Sequence, residues 1–205
     1  MKSRTLEVIL VISFGYLFGS ILFANLIGRA LGKSDVRQMG DGNPGASNIF
    51  MNMNRLLGIV VAVGDSFKSI IPMALATAMG LSTLVIILAG SAAVVGHCFP
   101  IYYGFRGGRG VATASGVLAF LIPKEFFPSL GIAALSMFFI KSNRQHIFPG
   151  ITVGLAIISS FFLEQSRLFK ISFLLIGIFL GFVNLPRFLV PAKVKVPVPE
   201  EEQAQ

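Results

Sequence analysis

Long apolar runs, separated by short polar stretches, dominate this chain. Apolar positions inside the runs follow neither a helical nor a strand period, which is typical of helices surrounded on all sides by lipid or protein. The runs lie at residues 6–27, 56–79, 81–99, 111–122, 126–140, 147–163 and 170–189. The pattern predicts an all-α, polytopic integral membrane bundle, and a soluble core is the weaker interpretation.

The lengths of the runs bear on the number of membrane crossings. Each run counts as one helix, which gives seven, with six or five as alternatives because a crossing helix needs roughly 20 residues. The two short runs around Pro123 are expected to form short helices or a re-entrant pair. Lys2 and Arg4 precede the first run as they would in a signal peptide. That run is too long and lacks a clean cleavage site, so it is taken as the first helix.

Charge gives the expected orientation. The 205 residues carry 17 lysines and arginines against 9 acidic residues, a net charge of +8. With seven crossings, most of the basic residues fall on the side of the odd-numbered loops and the C-terminus, which places the C-terminus in the cytoplasm and the N-terminus outside. Residues 1–190 are expected to form one transmembrane domain and residues 191–205 a short polar cytoplasmic tail. The single cysteine, Cys98, allows no internal disulfide.

Three unusual polar stretches, at residues 32–55, 96–110 and 181–188, all fall on this cytoplasmic side, so we expect them to converge on one site. The first contains GDGNPGASN, whose N–H groups can line a concavity that suits an anion. Taken alone, this run is better explained as an ordinary turn. The second contains FRGGRG, where Arg106 and Arg109 flank paired glycines and can clamp a phosphate. A positive-inside anchor explains that run about equally well.

Two further groups carry candidate chemistry. Asp65 and Lys68 are three residues apart inside a span, so they share a helix face and can pair. Ionisable residues inside a membrane span are energetically costly, which favours a functional role for the pair over simple mutual neutralisation. His97 is favoured as a general acid, base or hydrogen-bonding group near a phosphate, with a structural histidine as the rival. The pair His97 and Cys98 lacks metal-ligand spacing, and no nucleotide-binding loop motif is present.

These segments resemble a known family. GSILFANLIGRALGKSDVRQMGDGNPGASN, DSFKSIIP and GHCFPIYYGFRGGRGVATASG are similar, in order and spacing, to the three cytoplasmic motifs of the acyl-phosphate glycerol-3-phosphate acyltransferases, the PlsY family. The similarity covers about residues 19–116, and NLPRF at 184–188 is a weaker match. The third motif, G-H-x-F-P followed by F-x-G-G-[KR]-G-V-A-T, is the most specific.

The resemblance implies a seven-helix bacterial inner-membrane enzyme with its active site facing the cytoplasm. It implies transfer of a fatty acyl group from acyl phosphate to the 1-hydroxyl of sn-glycerol 3-phosphate, without cofactor or metal. The products would be lysophosphatidic acid and phosphate. Expected partners are the two substrates and membrane lipids, with no nucleic acid, and the protein is expected to be a monomer or a weak homo-oligomer. Acyl phosphate is already activated, so the protein would mainly orient the hydroxyl and stabilise the oxyanion.

The matching motif positions imply the site residues. The expected catalytic residues are His97, Asp41, Ser47 and Lys68. The expected substrate-binding residues are Asn43, Gly45, Ala46, Asn48, Arg55, Asp65, Arg106, Gly107, Gly108, Arg109, Gly110, Asn184 and Arg187. Lys68 and Arg109 are expected to contact phosphate, and His97 to position the substrate or carry protons.

Several positions depart from the family pattern. Asp41 stands where serine is usual and Met51 where arginine is usual. Asp41 could serve as a base, although its charge would repel a phosphate. Arg55, one turn beyond Met51, is expected to supply the lost cation from the same helix face. Ser69 replaces a usual glycine, and Arg109 a usual lysine. The alternatives are a divergent paralogue with another acceptor or a small-anion membrane transporter, the latter disfavoured because the motifs sit at one boundary.

Overall fold

The computed structural model describes residues 2–32, 35–136, 139, 148–163 and 165–189. Within these ranges the structure consists of helices and connecting loops, with no strand. The expected polar tail at 191–205 and the side chain of Arg187 lie outside the described part of the chain.

Nine α-helices occupy the described ranges. They are α1 (Lys2–Gly19), α2 (Phe23–Ala30), α3 (Ala46–Asn52), α4 (Arg55–Ala78), α5 (Thr83–Cys98), α6 (Val111–Leu121), α7 (Pro123–Ser136), α8 (Phe148–Phe162) and α9 (Arg167–Leu189). Two single-turn 3-10 helices, Val36–Gln38 and Ile101–Tyr103, lie in the loops. The all-α prediction is confirmed.

Six of the seven apolar runs form one helix each, from α4 to α9. The first run is divided, because α1 ends at Gly19 and α2 begins at Phe23 with a bend of 43° between them. Around Pro123 the structure has two short helices of 11 and 14 residues, with proline at the first position of α7. Among the described residues, three helices are long and apolar enough to cross a membrane, or four if the bent pair is one span. The count of seven crossings stays a prediction.

Small residues allow α1 and α5 to pack closely. A side chain at Gly15 would collide with the backbone of Ala89, and one at Gly19 with the backbone of Ala93. Further along α5, Gly96 lies against the carbonyl oxygen of Tyr16. Close backbone approach through small residues is how membrane helices gain packing energy without a hydrophobic driving force.

Two clusters of buried apolar residues hold the other helices together and attach the short helices near the polar loops. The larger one joins α4, α5, α6, α8 and α9 through buried residues such as Met73, Val94, Leu118 and Phe173. A smaller one, with Ile49 and Val61, seats α2 and α3 on α4. The short helices α2 and α3 therefore stand on the bundle and carry the first polar loop to its end.

Candidate active site

The three polar stretches meet at one end of the bundle, as expected. The Arg37 Nη1 group donates to the carbonyl oxygens of Tyr103 and Arg106, each at 3.3 Å. The Asn184 amide of α9 donates to the carbonyl oxygen of Arg109 at 3.4 Å. Three segments far apart in sequence thus form one surface.

A tight hairpin, His97–Gly108, is the centre of this surface. Gly107 N–H donates to the Cys98 carbonyl at 3.1 Å, and Gly108 N–H donates to the His97 carbonyl at 3.0 Å. The chain then turns into α6 through Gly110, whose φ of 75° is a left-handed conformation that favours glycine. FRGGRG therefore lies in a turn that leads into α6.

A cavity of about 660 Å³, called here the loop cavity, opens beside the hairpin. Its walls come from all three stretches. The lining residues are Asp35, Arg37, Gly42, Cys98, Phe99, Phe105, Arg106, Gly107, Gly108, Phe182 and Val183. Of the predicted site residues, Arg106, Gly107 and Gly108 line this cavity. The Arg106 guanidinium is exposed and has no hydrogen bond or ion pair within the described ranges, so it is a cation available to a ligand.

Asp35 and Arg37 brace one wall of the loop cavity. The Arg37 guanidinium contacts both oxygens of the Asp35 carboxylate, at 2.6 Å from Nη2 and 3.0 Å from Nε at the closest contacts to each oxygen. Asp35 also accepts from the Arg37 backbone N–H at 2.9 Å, which caps the 3-10 helix. These hydrogen bonds to Arg37 lower the pKa of Asp35, and they outweigh the effect of partial burial. The sequence analysis missed both residues, although their i, i+2 spacing in SDVR suggests a capped turn.

Asp41 pairs with Arg109. The Arg109 Nη2 group lies 2.6 Å from the Asp41 carboxylate, which also accepts from the Asn43 backbone N–H at 3.1 Å. The negative charge of Asp41 is therefore offset by Arg109, the arginine that was expected to contact phosphate. This ion pair reduces the repulsion that Asp41 would exert on a phosphate. Neither residue lines the loop cavity.

Lys68 is not among the residues that line the loop cavity, and its expected contact with phosphate stays a prediction. Its side chain is fully buried, and Nζ donates to the carbonyl oxygens of Gly19 at 3.1 Å and Ile21 at 2.7 Å. Nζ also lies 2.8 Å from His97 Nδ1 and 2.9 Å from Asp65 Oδ1. The predicted pair of Asp65 and Lys68 is confirmed, and it is joined to His97 and to the break between α1 and α2.

Arg55 does not share a helix with Met51, so that expectation is wrong. The chain leaves the helical conformation at Met53, and Asn54 caps a new helix by accepting from the N–H groups of Leu56 and Leu57. Arg55 is exposed at the start of α4. Its expected role as a substitute cation rested on a continuous helix that the structure does not have.

The remaining residues of the first motif hold the loop. The Asn48 amide donates to the carbonyls of Val36 at 3.0 Å and Met39 at 2.9 Å, which uses both of its hydrogens. Asn43 and Gly45 are buried, while Ala46 and Ser47 are half-buried in the first turn of α3. Their contacts with substrate stay predictions, as does that of Arg187.

Ser69, where glycine is usual, attaches α4 to α6. Its buried hydroxyl donates to the carbonyl oxygen of Thr113 at 2.8 Å. One turn earlier, Ser66 donates to the carbonyl of Ala112 at 2.9 Å. No group of three or more His, Cys, Asp or Glu in the described residues is placed to hold a metal ion.

The fold and this site define a class: an integral membrane helical bundle with a cavity, lined by both charged and apolar side chains, where its loops converge. A sequence model of the glycerol-3-phosphate acyltransferase family matches residues 9–189, and the chain belongs to that family.

Individual relatives agree. A glycerol-3-phosphate acyltransferase of Pseudomonas fluorescens is 47% identical over 108 residues, which are 53% of this chain and 57% of that protein. One of Desulfotalea psychrophila is 44% identical over 128 residues, 60% of this chain and 64% of the relative. The chain thus matches less than two thirds of the length of either protein.

The fold is similar to a solved one over nearly its whole length. A crystal structure of PlsY, an integral membrane glycerol 3-phosphate acyltransferase in its glycerol 3-phosphate form, aligns with a TM-score of 0.78 and 27% identity. The alignment covers 97% of this chain and 100% of that one. A lysophosphatidic acid form aligns with a TM-score of 0.74 and 26% identity, over 89% of this chain and 92% of the other.

Proposed function

We propose that this protein is a membrane acyltransferase that moves a fatty acyl group from acyl phosphate to the 1-hydroxyl of sn-glycerol 3-phosphate. The observation that carries the proposal is the loop cavity, with the unpaired Arg106 and the hairpin glycines in its wall. Both substrates carry phosphate, and Arg106 offers a guanidinium fork suited to it. The glycerol 3-phosphate and lysophosphatidic acid forms of the similar crystal structures support the same substrate and product.

The reaction needs few protein groups because the donor is a mixed anhydride. The acceptor hydroxyl oxygen forms a bond to the acyl carbon, and the bond from that carbon to the phosphate oxygen breaks. The bonding electrons leave with phosphate, and the hydroxyl proton leaves with it as well, so the products are lysophosphatidic acid and inorganic phosphate. The protein's tasks are orientation and stabilisation of the developing oxyanion by fixed donors.

A second cavity supports a donor with a long acyl chain. A groove of about 370 Å³ lies between α5 and α9 and is lined mainly by apolar side chains, among them Leu88, Val95 and Phe179. Phe99 and Phe182, about one turn further along the same helices, line the loop cavity. The groove therefore leads from the apolar part of the bundle toward the polar cavity. An acyl chain in the groove would carry its phosphate to the loop cavity.

The proposal includes a location and an assembly. The excess of basic residues on the loop side favours a cytoplasmic face for the site in a bacterial inner membrane. Residues 1–190 would act as one transmembrane domain, as a monomer or a weak homo-oligomer.

The test is acceptor-dependent transfer by the purified full chain in detergent. Palmitoyl phosphate is supplied with and without glycerol 3-phosphate, and released phosphate is measured with Arg106→Gln and the control Arg167→Gln. Arg167 is an exposed arginine at the start of α9, outside the loop cavity. We expect phosphate release only with acceptor, reduced at least tenfold in Arg106→Gln and unchanged in Arg167→Gln. A folded wild-type protein that releases no phosphate but takes up phosphate into vesicles would overturn the proposal in favour of transport.

A further inference from the structure

Lys68 has an unusual environment for a lysine. Its side chain is fully buried, and Nζ lies within hydrogen-bond distance of the Gly19 carbonyl, the Ile21 carbonyl and His97 Nδ1. An ammonium group has three hydrogens and no acceptor, so these three partners use all of them. Asp65 supplies the opposite charge, with its Oδ1 atom 2.9 Å from Nζ. The charged form of Lys68 is thus fully satisfied.

This environment determines which nitrogen of His97 carries the proton. Because Lys68 can only donate, His97 Nδ1 must accept, and the proton of a neutral imidazole then lies on Nε2. Asp65 Oδ1 is 3.6 Å from Nδ1, too far to compete as the acceptor of an Nδ1 proton. The hydrogen-bond network therefore assigns the Nε2–H tautomer.

His97 is buried and does not itself line the loop cavity, but its Nε2 lies directly behind Gly108, which does. A Cβ atom added to Gly108 would collide with Nε2. The imidazole therefore packs directly against the Cα of Gly108. Gly108 itself lines the cavity. No hydrogen bond to Nε2 is present in the described part of the chain. Its N–H therefore has no partner among the described residues and is separated from the loop cavity by one glycine.

We infer that Lys68 is a positioning residue that holds His97 in the Nε2–H tautomer, so that His97 donates a hydrogen bond to an oxygen of the bound substrate. The inference rests on the proposed function for the identity of that substrate. It assigns His97 the part of a donor and excludes Nε2 as the base that removes the hydroxyl proton. It also gives the buried lysine a role that requires no contact with phosphate.

The tautomer can be measured without any activity. The chain has two histidines, so ¹⁵N-histidine labelling of the His146→Gln variant leaves a single imidazole for NMR. We expect a neutral ring protonated at Nε2 at neutral pH. In Lys68→Met the ring should become a mixture of tautomers or take up a second proton, whereas the control Lys170→Met, which removes a lysine at the start of α9, should leave it unchanged. A ring protonated at Nδ1 in the parent, or an unchanged ring in Lys68→Met, would overturn the inference.

Substitutions of His97 test the donor without removing Lys68. Glutamine can place an amide N–H near the position of Nε2, while asparagine can place its oxygen near Nδ1 but has no donor at Nε2. We expect His97→Gln to keep a substantial part of the wild-type kcat and His97→Asn to lose about 10²- to 10³-fold, as when an oxyanion donor is removed. Equal kcat values for the two variants would refute the donor role. The failure of the proposed function is recognised separately, because wild-type protein would then form no lysophosphatidic acid while the NMR result could still stand.

Discussion

At the scale of single residues, the arginines around the loop cavity divide into two kinds. The Arg37 guanidinium is occupied by Asp35 and by two backbone carbonyls, so it supports the wall. Arg109 is paired with Asp41 through Nη2, while its buried Nε has no partner within the described ranges. Arg106 is unpaired. Access of an anionic substrate therefore depends on Arg106 and on how easily Asp41 releases Arg109.

Replacement of Asp41 tests that competition. Asp41→Ser removes a partly exposed ion pair, which is worth about 0.2–1 kcal/mol, and frees the Arg109 guanidinium. We expect the KM for glycerol 3-phosphate to fall by up to about fivefold, with a smaller change in kcat. Steady-state kinetics of wild type, Asp41→Ser, Arg109→Ala and the double variant give a double-mutant cycle, which measures the coupling between the two residues. If Asp41→Ser lowers KM equally in the Arg109→Ala background, the ion pair is not the cause.

The brace between Asp35 and Arg37 predicts a dependence of stability on pH. The pKa of Asp35 is lowered from its ordinary value of 3.8 by hydrogen bonding to Arg37. The stabilisation is therefore present above about pH 4 and is lost as pH falls through the lowered pKa. At pH 7 we expect Asp35→Asn to cost about 0.2–1 kcal/mol, because asparagine can still cap the turn but no longer forms the ion pair with Arg37. Thermal unfolding in detergent should show this difference shrinking below pH 4, and a difference that persists at pH 2 would contradict the assignment.

At the scale of elements, the break between α1 and α2 is the feature that most shapes the site. Lys68 of α4 donates to carbonyls on both sides of the break, at Gly19 and Ile21. These contacts satisfy backbone groups that the interrupted helix leaves free at a buried position. The break thus links the first helix to the group containing Asp65 and His97.

Because α1 packs closely on α5, we expect a substitution of Gly19 to reduce the stability of the protein. A Cβ at Gly19 would collide with Ala93, whereas Gly154 in α8 has open space around it. We expect Gly19→Ala to destabilise the protein by about 1–3 kcal/mol through overpacking. Gly154→Ala is the matched control, and it should be neutral or stabilising by up to about 1 kcal/mol because alanine favours helices. Thermal unfolding of the two variants gives the comparison, and equal midpoints would show that the two helices do not touch as described.

The sequence predicted the helices better than their breaks. Each apolar run from α4 to α9 was recognisable because a lipid-facing helix must be continuously apolar. The break near Ser20 was not, since the carbonyl groups it leaves free are satisfied by Lys68, which is 48 residues away in the sequence. For the same reason the contacts of Lys68 with the break and the brace at Arg37 were missed: both depend on backbone carbonyls that become neighbours only in the folded chain. Arg106, Gly107 and Gly108 could be predicted because one short motif contains both the cation and the turn.

At the scale of the whole molecule, an apolar groove and a cavity that contains charged side chains lie near each other where α5 and α9 approach the loops. The α5/α9 groove is apolar, and the loop cavity contains charged side chains and glycines. An amphiphile with a long chain and a phosphate fits this arrangement better than a wholly polar substrate, because each part would lie in a space of its own character.

If the groove holds the acyl chain, a substitution that blocks it should reduce activity with long-chain donors more than activity with short-chain donors. Ser91 lines the groove at mid-helix, so Ser91→Trp should fill it without touching the loop cavity. We expect kcat/KM for palmitoyl phosphate to fall at least tenfold, with little change for acetyl phosphate. The control is Leu135→Trp on the exposed face of α7. Equal losses for both donors would argue against the groove as the chain site.

The most direct test of the central claim, that acyl transfer takes place beside the hairpin, is the product ratio in wild type and Gly108→Ala. Mass spectrometry of reactions with palmitoyl phosphate and glycerol 3-phosphate should show lysophosphatidic acid and phosphate formed in equal amounts by wild type. Both should fall at least tenfold in Gly108→Ala, because the added methyl group would meet His97 Nε2 directly behind the cavity wall. The Gly154→Ala variant serves as the folded control. Phosphate without lysophosphatidic acid, or undiminished transfer by Gly108→Ala, would contradict the account.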